Sequence, residues 1–78
     1  MSKKEKLFLK LKSLPNDFNF SELETLLKNF WFEKIKTNAW SHFKWIHRDK
    51  NVNFFAPRKN PMKKIYLKEL LNILEIYF

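Results

Sequence analysis

The chain has 78 residues, a formal net charge of +8, 18% aromatic residues, and neither cysteine nor glycine. That length predicts one small domain, residues 1–78, held by packing of its many aromatics, and without cysteine neither a disulfide nor a thiolate metal site can help. The absence of glycine excludes glycine-rich phosphate loops and dinucleotide-binding turns, and no apolar run is long enough to cross a bilayer.

In chain order, residues 3–13 place Leu7, Leu11 and Leu14 at helical spacing, with Lys3, Lys6 and Lys10 outside. Pro15 disfavours helix at Leu14 and ends the segment. The apolar stretch Leu7-Phe8-Leu9 is broken at once by Lys10 and Lys12, which argues against a signal peptide, so a cytoplasmic protein is expected. Ser21 is expected to open a second helix, with Glu24 completing a capping box. Leu23, Leu26, Leu27 and Phe30 then fall on one stripe.

From Phe32 the period changes to two. Phe32–Lys36, Trp40–His47 and Val52–Ala56 read as three strands, with Asp49-Lys50-Asn51 as a hairpin turn. With no glycine, left-handed turn positions are expected on Asn16-Asp17, Asp49-Lys50-Asn51 and Asn60. Residues 57–61 form a basic loop, and a last helix presents Leu67, Leu70, Leu71 and Leu74 on one face. The order is helix, helix, three strands, helix. It predicts an α+β fold with helices on one face of an antiparallel sheet and the other face open to a ligand.

The charge is concentrated. Residues 34–68 hold ten Lys or Arg and one acid, Asp49. A polyanion is the expected partner, since each cation that meets a phosphate releases a condensed counterion. Within that stretch, strand alternation from Trp40 to His47 puts Trp40, His42, Lys44 and Ile46 on one face, and Ser41, Phe43, Trp45 and His47 on the other. Phe43 and Trp45 are the core residues, so His42 and Lys44 are expected on the open, basic side. Ser41 and His42 point opposite ways and cannot form a nucleophile–base pair. An imidazole beside an ammonium suits RNA cleavage: one takes the proton of a ribose 2′-hydroxyl, the other stabilises phosphate charge. No metal is needed for that chemistry. His47, on the core side at the strand end, is expected to be structural, and His42 with His47 does not make a zinc site, which needs three or four convergent ligands.

From Phe18 to Leu74 the chain resembles the HicA-type toxins, the small ribonuclease partners of HicAB toxin–antitoxin pairs. The resemblance runs through Ser21-Glu22-Leu23, Leu26-Leu27 and Trp31-Phe32-Glu33. It continues in Trp40-Ser41-His42, similar to the family's Gly-Ser-His strand, and in Ala56-Pro57-Arg58-Lys59, similar to its Pro-Arg-His. Met62-Lys63-Lys64-Ile65 is similar to the start of its last helix. Four positions differ: Trp31, Trp40 and Ile65 stand where glycine is common, and Lys59 stands for a second histidine. The resemblance implies a fold like a double-stranded-RNA-binding domain for residues 18–78, with 1–17 as an added helix. It implies a metal-independent endoribonuclease, without cofactor, that cleaves mRNA with His42 as general acid or base and is neutralised by a HicB-type antitoxin.

Lys44, Arg58, Lys59, Lys63 and Lys64 are the expected phosphate contacts, and Trp40 offers a ring for a base to stack on. The competing reading is an RNA-binding module of the same fold without catalysis, which the substitutions at Trp40 and Lys59 favour. A protein-binding domain with an acidic partner is a third.

Overall fold

The apolar stripes decide which segments become helices and which faces are buried. In a computed structural model the chain is described over residues 2–36 and 42–78, with Lys36 and His42 described by their backbone alone. Helix α1 spans Lys3–Lys12 and α2 spans Phe20–Asn29. Strands β1 (Glu33–Lys36), β2 (His42–His47) and β3 (Val52–Pro57) follow, and α3 (Lys64–Tyr77) closes the order.

The three strands form one antiparallel sheet in the order β1-β2-β3, with helices on one face, the α-α-β-β-β-α arrangement of a double-stranded-RNA-binding-type fold with one extra N-terminal helix. The Cα radius of gyration is 11.7 Å, close to the roughly 11–12 Å of a single globule this long.

Alternation sorts the sheet as the sequence implies. Trp45 and Phe54 are fully buried and paired across β2 and β3, with Phe43 packed at the margin. Above them sit Phe20, Leu23, Leu26 and Leu27 of α2 and Leu67, Leu70, Ile73 and Leu74 of α3. Phe20 joins the layers: its ring centroid lies 5.5 Å from Phe43 and 5.7 Å from Trp45. Aromatic pairs at such separations add about 0.5–1.5 kcal/mol each beyond the area they bury. Among the described residues the indole nitrogen of Trp45 is buried without a hydrogen-bond partner.

Helix α1 belongs to the same core. Leu7 and Leu11 are buried, and Phe8 meets Phe30 at the end of α2 at 6.1 Å. Lys10 is not a free surface cation: its Nζ donates to Glu22 Oε2 at 2.8 Å and lies 3.9 Å from Asp17. The hydrogen bond to Glu22 holds its pKa above the ordinary lysine value.

Two local expectations move. The second helix starts at Phe20, one residue earlier than Ser21, and its reciprocal cap is Asn19 N donating to Glu22 Oε1 at 3.1 Å. Phe20, as the first residue of the helix, packs its ring against Trp45. Left-handed backbone falls on Asn51 in the hairpin, as expected, but not on Asn16, Asp17 or Asn60; Leu14 (φ 49°) and Trp31 (φ 69°), each just past a helix end, take it instead. The beginning of the second expected strand, Trp40-Ser41, lies outside the described residues. Among the described residues no helix is long and apolar enough to cross a membrane.

Candidate nucleic-acid interface

Helices α2 and α3 both begin at the end of the sheet where β3 finishes, and the segment joining β3 to α3 runs across that end. It is pinned to the beginning of α2. Asn60 Oδ1 accepts from Phe20 N at 2.7 Å, and Met62 N donates to Phe18 O at 2.7 Å while its side chain is buried. Lys59 N donates back to Pro57 O at 3.1 Å, tightening the turn out of β3. Each bond satisfies a backbone group that a helix start or a loop would otherwise leave to solvent.

This framework carries four of the expected cations. Arg58, Lys59, Lys63 and Lys64 are all exposed. The Arg58 guanidinium lies over the Phe20 ring at 5.9 Å, which steadies its stem without using its hydrogen-bond donors. Lys63 is the N-cap of α3, its side chain makes no capping bond, and no acid occupies the first turn. Two lysines at a helix start oppose the helix dipole, which favours negative charge there. None of the four cations has an ion-pair partner among the described residues.

His42 opens β2, and the register sets its backbone opposite Pro57, the residue before Arg58. Its side chain, and all of Trp40 and Ser41, lie outside the described residues. Two positions along, Lys44 is half-buried on the open face of the sheet, its Nζ 5.6 Å from the centre of the Phe55 ring. The topology therefore brings Arg58, Lys59, Lys63, Lys64 and the backbone of His42 to one end of the sheet, with Lys44 two residues in from it on the open face and Arg58 over Phe20 on the helix side.

Three other bases of the cationic stretch go elsewhere. Lys34 reaches the inner edge of the sheet, bonds Glu24 at 2.6 Å and lies over Phe43. At the hairpin end Arg48 Nε donates to Glu33 at 3.0 Å, and Lys50 lies over the Phe78 ring at 5.7 Å. His47 is buried there; its Nδ1 accepts from Lys50 N at 3.1 Å, and its ring meets Phe32 and Phe78 edge-on at 5.3 and 4.9 Å. It latches the hairpin.

Two concavities among the described residues lie away from these cations. One, of about 500 Å³, is an open groove between α1 and α2 lined by Lys3, Lys6, Leu7, Ser21, Glu22 and Thr25. The other, of about 180 Å³, lies at the hairpin end beside Trp31, Glu33 and His47. The four cations at this end are exposed, and phosphates spaced along a polymer could meet them without enclosure. No cluster of three or more metal-ligating side chains occurs among the described residues.

Two residues on the open face are absent from the sequence-derived site: Phe55, 49% exposed, and Ile35, 37% exposed, flank Lys44 in one cross-strand row. The signal for Phe55 was its neighbour: two consecutive aromatics in a strand cannot both face the core. Comparison with protein-family models, with characterised proteins and with solved structures finds no match.

Proposed function

We propose that the chain binds RNA across the end of the sheet where β3, the 58–63 loop and the beginnings of α2 and α3 meet, and that it cleaves RNA there as a HicA-like endoribonuclease. The observation that carries the reading is the pairing of His42 with Pro57, which sets the candidate catalytic residue beside the loop that holds Arg58 and Lys59.

In the proposed reaction the His42 imidazole accepts the proton of a ribose 2′-hydroxyl. The 2′-oxygen then bonds to its own phosphorus, and the 5′-oxygen of the next nucleotide leaves with a proton from water. The products are a 2′,3′-cyclic phosphate and a 5′-hydroxyl. Lys44, Arg58 and Lys59 stabilise the charge that builds on the phosphate oxygens, Lys63 and Lys64 hold the flanking backbone, and Trp40 is the candidate stacking residue near the cut. A HicB-type antitoxin would cover this cationic end, and charge complementarity requires it to be acidic there.

The test is incubation of the purified chain and of a His42→Ala variant with RNA in EDTA. Cleavage by the parent alone, ending in cyclic phosphate, supports the reading. Equal cleavage by both removes His42 from the chemistry. Equal binding with no cleavage by either leaves a binding module of the same fold.

A further inference from the structure

The open face of the sheet carries a row that solvation alone does not explain. Register places Ile35 of β1, Lys44 of β2 and Phe55 of β3 side by side. Neighbouring strands lie about 4.8 Å apart, so the row is roughly 10 Å wide, close to the span of a nucleobase with its sugar. A sheet that only needed a wetted back would carry polar residues at these positions, as Asn53 does two residues before Phe55. Here a phenyl ring and a branched aliphatic side chain flank one ammonium, which lies 5.6 Å from the ring centre.

We propose that this row is a stacking subsite for a base of single-stranded RNA, with Phe55 as the platform and Lys44 holding the adjoining phosphate. The proposal rests on the reading that the chain binds RNA and not on the reading that it cleaves it. Stacking needs a free π-face. In a duplex the base faces are covered by their neighbours, so a flat aromatic row selects unpaired strands, loops or ends.

A protein partner is the competing occupant, and an acidic one would meet the same charge; the exposed ring with an ammonium 5.6 Å from its centre is what favours a base and its phosphate. Glu33, on the next row of the same face, is already bonded to Arg48. Position also favours a nucleotide chain. Lys44 is two residues from His42, about 7 Å along the strand. That is comparable with one phosphate-to-phosphate step of an extended strand. The base on Phe55 therefore belongs to a nucleotide next to the one that passes the start of β2, which makes Phe55 a determinant of binding preference at that position.

The experiment uses the full chain with His42→Ala, so that RNA stays intact, and titrates it with a fluorescent single strand and with a blunt duplex at several salt concentrations. Adding Phe55→Ala is expected to weaken single-strand binding about 10-fold with the salt slope unchanged, because stacking and not phosphate contact is lost. Phe55→Trp should keep or raise the affinity, Phe55→Leu should stay weak, and duplex binding should not move. Far-UV circular dichroism checks that each variant is folded. Single-strand affinity that is unchanged by Phe55→Ala, or fully rescued by Phe55→Leu, overturns the stacking role. If the His42→Ala chain itself binds no RNA, the underlying reading fails first, and the titration of that chain alone reveals it.

Discussion

At the hairpin end of the sheet Arg48 meets Glu33 at 3.0 Å and Lys50 lies over Phe78, whereas at the loop end Arg58, Lys59, Lys63 and Lys64 face solvent with no carboxylate in reach among the described residues. The hairpin end encloses a buried histidine among aromatic rings; the loop end sets two lysines against a helix dipole. One end places its charges to hold the fold. The other leaves charge uncompensated, at some cost to the free protein, where a polyanion would relieve it. The difference turns on partners, since both ends are basic in sequence.

The largest effect should come from stripping the loop end of its charge. Replacing Arg58, Lys59, Lys63 and Lys64 by Ala is expected to weaken RNA binding about 100-fold at physiological salt, and to flatten the logarithmic salt slope by about 3. Replacing Arg48 and Lys50 should leave that slope nearly unchanged, and filter-binding titrations over a salt series compare the two. A similar slope loss per cation from both sets would erase the distinction.

Stability should respond in the opposite sense. His47→Ala removes the hairpin latch and two edge-on aromatic contacts, and is expected to lower unfolding free energy by about 2–3 kcal/mol in urea titrations. RNA affinity of the remaining folded chain should be unaffected. Lys63→Ser sharpens the contrast at the loop end itself. A serine can cap α3 and relieves the dipole, so the free fold should gain about 1 kcal/mol while RNA binding weakens. A variant that gains stability and keeps full affinity would separate Lys63 from the interface.

The smallest expected effect is at Trp31, which is 80% exposed and left-handed. A bulky residue there costs about 1–2 kcal/mol, so Trp31→Asn should raise the unfolding midpoint modestly and leave RNA binding unchanged. Loss of RNA binding in that variant would extend the interface to the hairpin end.

Much of the architecture could be read from periodicity. The stripe from Leu23 to Phe30 and the alternation around Phe43 and Trp45 fix which faces are buried, and Asn51 marks the hairpin. What sequence spacing concealed was tertiary. The cap moved from Ser21 to Asn19, with Phe20 as the first helical residue packed against Trp45. Leu14 and Trp31 took left-handed backbone because the chain has no glycine to end its helices and packing sets where they stop. The partition of cations was hidden for a related reason: Lys34, Arg48 and Lys50 are near Arg58 in number, but the meander carries Arg48 and Lys50 to the opposite end of the sheet and turns Lys34 under its edge. Of the candidate site, the basic loop and Lys44 were legible, while Phe55 showed only once the register fixed which of two adjacent rings faces outward.

The bond from Phe20 N to Asn60 spans forty residues of sequence, and Met62 to Phe18 spans a similar stretch. Contacts of such separation form late, after the intervening chain has been collected. The loop that carries Arg58 and Lys59 is therefore fixed only when the last third of the chain docks onto the first.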